Sequence, residues 1–262
     1  EALGRTREER ACSRGLQGEG SVDFFEGDQR VRGNVLFMAM APASLRFDAY
    51  SPFGATLSTL TSDGERFALF DIRQKAMLRG EASSCNLARF TRVALPPHVL
   101  IQLLRGEAPV LRHQPGAATL DWQGALFGDG VWRVEITGDA QTTETILLAP
   151  SPEDWALPWQ QQRLRVTEVE VRQAGVPLWR ATLDDYRRVD TAAARTDPDG
   201  LTPPIPPSGP QCRAEIPMAL RLEVPDGDRD LVLHQKKVQH NPPLLPGSFE
   251  QGTLPGIAEH FT

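Results

Sequence analysis

Five histidines, three cysteines and a few acidic clusters are the residues of this chain that could do chemistry. His98, His113, His234, His240 and His260 are scattered, and none shares a helical face with a second His, Cys or carboxylate at ligand spacing. Asp226, Asp228 and Asp230 take the first, third and fifth places of a calcium-type loop. Such a loop needs Gly sixth and Glu twelfth, and those places hold Leu231 and Lys237, so a polar hairpin turn is expected. Asp184 and Asp185 are neighbours, and neighbours on a strand point to opposite faces and cannot share a substrate. Asp197 and Asp199 fall in an irregular stretch. There is no G-x-S-x-G elbow and no glycine-rich phosphate loop. The reading is therefore a protein that is not an enzyme, with no catalytic residue, no metal and no cofactor.

Cys12, Cys85 and Cys212 follow neither C-x-x-C nor zinc spacing. In an oxidising compartment two of them can pair and leave one free. Cys85–Cys212 is the pairing favoured, because Cys12 lies in a polar leader, and three unpaired thiols are the alternative. The net charge is −6 and the basic residues are dispersed, which argues against nucleic acid as partner. No run approaches the ~20 apolar residues of a membrane-spanning helix.

The elements that must position any site are mostly strands. Residues 1–17 are charged and read as a leader or a frayed helix; from Gly18 the apolar residues recur with period two, punctuated by Gly and Pro. Asp63-Gly64 marks a hairpin. The period changes in "SSCNLARFTRVALPPHVLIQLLRGEAP", which predicts one short helix near Ser83–Phe90 and a second from Pro96 to Arg105. In the second, the prolines suit a first turn, Val99, Leu100, Leu103 and Leu104 form one apolar stripe, and Gly106 is the C-cap. Strands resume from Ala118 to Val238, interrupted by a Pro/Gly-rich insert at 191–211, and the tail 241–262 is again rich in Pro and Gly. This is a mainly β chain of ten or eleven antiparallel strands in one domain, 18–240, with a helical interruption.

A long antiparallel sheet has one face that must be filled. The residues read as inward are Phe24, Leu36, Met38, Met40, Phe47, Leu57, Leu60, Phe67, Leu69, Met77, Leu78, Val134, Ile136, Ile146 and Leu148. An ordinary packed core and an apolar cavity both fit that pattern. The helix from Pro96 can likewise be a plug on the sheet or a movable cover.

"FDAYSPFGATLSTLTSDGERFALFD" followed by "ALPPHVLIQLLRGEAP" resembles the LolB-type outer-membrane lipoprotein receptors and the related LolA carriers. "LRVTEVEVRQAGVPLWRATLDDYRRV" and "AEIPMALRLEVPDGDRDLVLHQKKV" resemble later hairpins of that family, so the similarity runs from about Gly15 to Pro242. It implies a single unclosed β-barrel with short helices covering a concave apolar face that takes the acyl chains of lipoproteins or lipids. The implied ligand-binding residues are Leu36, Met38, Met40, Phe47, Leu57, Phe67, Leu69, Val134 and Ile136, with Val99, Leu100, Leu103 and Leu104 as the lid. It also implies a protruding membrane-insertion loop at Pro52, Phe53 and Gly54, against the alternative of Phe53 tucked into the core. A lipid anchor on a cysteine before Glu1, with residues 1–17 as linker, belongs to the LolB branch. The implied location is the periplasmic face of the outer membrane of a Gram-negative bacterium, with a LolA-like periplasmic carrier or other envelope proteins as partners. Because the insert and the tail exceed the family pattern, a structural component of an envelope assembly is the second reading.

Overall fold

The computed structural model describes residues 1–51, 53–91, 95–124, 130–226, 228–253 and 255–261. Helix α1 (Ala2–Arg10) leads into a meander of six strands: β1 (Gly15–Glu26), β2 (Gln29–Met40), β3 (Ser44–Tyr50), β4 (Thr56–Ser62), β5 (Arg66–Asp71) and β6 (Ala76–Glu81). Helices α2 (Ser84–Thr91) and α3 (Pro97–Leu104) follow. A second meander runs through β7 (His113–Gln123), β8 (Val131–Gly138), β9 (Thr142–Pro150), β10 (Leu164–Gln173), β11 (Val176–Arg188), β12 (Glu215–Val224) and β13 (Arg229–His240), and β14 (Ala258–Phe261) closes the chain.

All fourteen strands lie in one sheet in the order β14-β6-β5-β4-β3-β2-β1-β13-β12-β11-β10-β9-β8-β7. The first and last strands of the two meanders, β1 and β13, pair antiparallel from Leu16–His240 to Glu26–Arg229 and so join the halves. The outer strands β14 and β7 do not meet, which leaves an unclosed barrel, as expected. The strand number is fourteen rather than ten or eleven. Each strand segment marked in the sequence pairs separately, and the tail adds β14, which runs parallel to β6.

Local chemistry explains the turns. Asp63 accepts the backbone N–H of Glu65 and Arg66 at 2.8 and 2.7 Å, and Gly64 takes φ +102°, so the Asp-Gly pair makes the β4–β5 turn. Helix α3 ends in a Schellman arrangement: Gly106 N–H donates to the Leu103 carbonyl at 2.9 Å, Glu107 N–H to that of Gln102 at 2.8 Å, and Gly106 sits at φ +75°.

Of the two readings of residues 1–17, the helix is the one seen, and it is docked on the sheet. Ala2, Thr6 and Arg10 are buried, α1 packs against β10, and Gly15 already belongs to β1. The disulfide also differs from expectation: Cys12 pairs with Cys212 across a Cα–Cα distance of 5.2 Å, and Cys85 is free and exposed. The polar composition around Cys12 misled because this segment is fastened by hydrogen bonds rather than by apolar packing. Asn241 is wholly buried; its Oδ1 accepts from Arg14 and Gly15 N–H, and its Nδ2 donates to the carbonyls of Cys12 and Pro210. His240, also buried, lies 2.8 Å from Ser13 Oγ and 3.0 Å from the Ala214 carbonyl. Burial holds its pKa below the usual imidazole value. The amino terminus, the insert and the end of β13 are thus knotted together.

A covalent closure spanning 200 residues should matter to stability. Replacing Cys12 and Cys212 together by serine is expected to lower the unfolding free energy by about 2–5 kcal/mol in urea titrations. An unchanged midpoint and slope would show that the hydrogen-bonded knot holds without it.

Candidate functional site

Between the first meander, β12–β13 and the two short helices lies a cavity of about 470 Å³. Its wall runs over seven adjacent strands: Leu220 and Leu222 of β12, Leu231 and Leu233 of β13, Val22 and Phe24 of β1, Val31 and Val35 of β2, Leu45, Phe47 and Ala49 of β3, Ser58 and Leu60 of β4, and Leu69 of β5. Leu87 of α2 and Leu95, Pro97 and Leu100 at α3 form its roof. Glu26, Gln29 and Ser58 are the polar or charged residues of the lining. Glu26 and Gln29 flank the β1–β2 turn beside the exposed Val31, so the polar end is the mouth.

Helix α3 crosses the concave face and packs against β3 on one side and β12 on the other. It is buried around most of its circumference: Val99, Ile101, Leu103 and Leu104 are in the core, Leu100 faces the cavity, and His98 is exposed. A helix so apolar packs inside rather than on the surface. Its C-terminal end is pinned. Gln235 Nε2 donates to the Leu104 carbonyl at 3.4 Å, Arg10 Nε to the Arg105 carbonyl at 3.1 Å, and Arg105 Nη2 to the Arg10 carbonyl at 3.2 Å. Arg105 also pairs with Glu107 at 2.8 Å, and burial pushes the Glu107 carboxyl up and the Arg105 guanidinium down.

Of the residues read from sequence as cavity or lid, Phe47, Leu69 and Leu100 line this space. Phe67, Val99, Leu103, Leu104, Val134 and Ile136 pack in the continuous core around it. Leu36, Met38, Met40 and Leu57 are corrected: they point to the other side of the sheet. On β2 both alternating sets are apolar, and the pairings of Val35, Phe37 and Ala39 with Gly20, Gly18 and Leu16 of β1 put that set inward. A slip of one residue exchanges the faces of a strand. On β4, Leu57 and Leu60 are three apart and cannot face one way; Leu60 turns in and Leu57 out. The cavity residues of β12 and β13 went unlisted from sequence, although Leu220/Leu222 and Leu231/Leu233 carry the period-two signal. That these strands abut β1 is a fact of topology, which spacing does not contain.

At the tip of the β3–β4 hairpin Phe53 is 97% exposed, which rules out a place in the core. Gly54 N–H donates to the Ser51 carbonyl at 2.9 Å and Ser51 N–H to that of Ala55 at 2.8 Å, with Gly54 at φ +82°, so the backbone holds the ring outward. Pro52 lies outside the described residues.

Over β9–β12 the trough is filled instead. Helix α1 packs over β10, the buried stretch from Arg105 passes Tyr186 of β11 and Pro217 of β12, and Glu144 of β9 reaches Leu111 just beyond it. One carboxylate oxygen of Glu144 accepts the Leu111 N–H at 2.9 Å and the other has no partner among the described residues. Burial pushes its pKa up from 4.5 to about 7. Because the folded value exceeds the unfolded one, the folded state binds the extra proton between those values. This contribution is full below pH 4.5 and lost as pH rises through 7, roughly 3 kcal/mol in all. Glu144→Gln keeps an acceptor for Leu111 and removes the titration. Thermal midpoints of the variant are expected to flatten between pH 5 and 8 and to exceed the parent's at pH 8; a pH dependence of unaltered size would refute the assignment.

No protein-family model matches the sequence, and no curated protein matches it. Solved structures do. A DUF1329 family protein from Desulfovibrio piger superposes with a TM-score of 0.59 at 9% identity, over 95% of each chain. A domain assigned to outer membrane lipoprotein sorting, from Vibrio parahaemolyticus, gives 0.56 at 12% identity, over 95% of this chain and 97% of that one. A LolA superfamily protein from Nitrosomonas europaea gives 0.53 at 11% identity, over 95% and 96%. At such identities the likeness is one of fold, which the chain shares with these proteins over nearly its whole length.

Proposed function

We propose that the protein binds the acyl chains of lipids or lipoproteins in the Gram-negative envelope and hands them to the outer membrane as a lipid-anchored, LolB-type receptor does. The observation that carries this reading is the 470 Å³ cavity, walled by leucine, valine and phenylalanine and roofed by α2 and α3. Each methylene moved from water into such a space is worth ~0.8 kcal/mol, so a chain is held by burial and no covalent step is needed. Transfer then follows the difference in burial between cavity and bilayer. The fold shared with a LolA superfamily protein and a lipoprotein-sorting domain supports the same reading. The outward Phe53 supports the membrane-facing end of it, because an aromatic ring gains free energy at the lipid interface. A role as an assembly component calls for a filled interior and a tail laid on another chain. Here the tail lies back on its own sheet, with β14 on β6 and Gln251 bonded to the Thr59 and Ala68 carbonyls.

Titration with a fluorescent fatty-acid analogue tests the cavity. Leu100→Glu places a charge in its roof and is expected to weaken the probe at least tenfold; equal affinity in a variant that melts like the parent would sink the reading. For the loop, Phe53→Glu should reduce sedimentation with phospholipid vesicles while leaving the thermal midpoint in place. Undiminished vesicle binding would remove the loop from the proposal.

A further inference from the structure

The trough is divided unevenly, and the division limits what the cavity can hold. Over β9–β12, α1 and Arg105–Pro109 occupy the concave face, pinned by the reciprocal Arg10–Arg105 hydrogen bonds and by the Cys12–Cys212 bridge that follows α1. The remaining 470 Å³ lies under α2 and α3, toward the β1–β2 turn. A methylene takes about the volume of a liquid water molecule, ~30 Å³, so that space seats about sixteen carbons. From the mouth inward its lining on β2 runs from Gln29 to Val35, six steps of ~3.4 Å, which is roughly 20 Å along the strand. That depth and that volume match one extended chain and not two.

The ends differ in chemistry. The inner end is closed by Leu87, Leu95 and Leu100. At the mouth Glu26 pairs in register with Arg229, whose Nε donates to Glu26 Oε1 at 3.1 Å. Arg229 is two and four residues before the cavity residues Leu231 and Leu233, so it shares their face, and that bond uses one of its five N–H donors. The Arg229 side chain is about a third exposed, and its remaining donors suit a carboxylate or a phosphate.

We propose that the cavity takes one unbranched acyl chain of about sixteen carbons, methyl end against α3, with an anionic head group at Arg229. The ligand class is a single-chain anionic lipid, or one chain of a larger lipid. This rests on the acyl-binding reading above. A free fatty acid and a lysophospholipid share the chemistry, and the experiment separates them.

Fatty acids from eight to twenty carbons, palmitoyl lysophosphatidylglycerol and dipalmitoyl phosphatidylglycerol are titrated calorimetrically, with stoichiometry read by native mass spectrometry. Affinity is expected to rise about fourfold per methylene and to level off near sixteen carbons, with one molecule bound per chain. The two-chain lipid should bind no tighter than its one-chain counterpart. Ala49→Phe narrows the cavity wall and should move the plateau to shorter chains; Arg229→Gln should weaken the anionic probes roughly tenfold without moving it. Whichever of palmitate and the lysolipid shows the larger Arg229 dependence identifies the head group. A two-chain lipid that binds tighter than either, or affinity still climbing at twenty carbons, would overturn the one-chain assignment while leaving acyl binding intact. Failure of every lipid to bind would overturn both.

Discussion

An open sheet of fourteen strands with an apolar concave face has to be covered, because leaving that face in water costs about 25 cal/mol for each Å² exposed. Closing the barrel would satisfy the constraint, but β7 and β14 stay apart. The chain covers the face from within, using the segment between its two meanders. Placing that segment there explains why a strand-rich sequence breaks off for two short apolar helices. It also explains why α3 is apolar on almost every side: it touches the sheet on both flanks and not only beneath.

Covering a trough with a short helix does not fill it. Over β9–β12 the trough is completed by α1 and the stretch from Arg105, and this brings charged groups into the interior. Arg10 and Arg105 exchange backbone hydrogen bonds, Glu107 neutralises Arg105, and Tyr186 bonds the Val166 carbonyl at 2.6 Å with Arg10 near its ring. Buried charges are tolerated only when paired in this way. The rest of the face receives no such filling and keeps its leucine-walled cavity. Anchoring and binding are thus given to different parts of the same concave face.

The knot at Cys12, Cys212, His240 and Asn241 belongs to the same scheme. It fixes the start of β1 against the end of β13, which is the seam between the two meanders. Without that seam the sheet would be two separate ribbons, each with an uncovered apolar face. Polar side chains do the fastening because the joined segments meet through their backbones, and buried backbone groups need partners.

Much of this was legible in the residues. Period-two apolar spacing, Asp-Gly at the β4–β5 turn, the prolines and Gly106 bounding α3, and the scattering of His and Asp all act over a few neighbours. They correctly marked a mainly β chain, the helical interruption and its buried stripe. Three things lay outside that reach. Which of two apolar sets on β2 turns inward depends on the register with β1, so Leu36 and Met38 were misplaced. Which cysteine meets Cys212 depends on where the amino terminus docks, and the walls supplied by β12 and β13 depend on the seam with β1. Local spacing determined the elements and their apolar faces; contacts between residues hundreds of positions apart decided which faces meet and how much space they leave, because only the folded sheet brings those residues together.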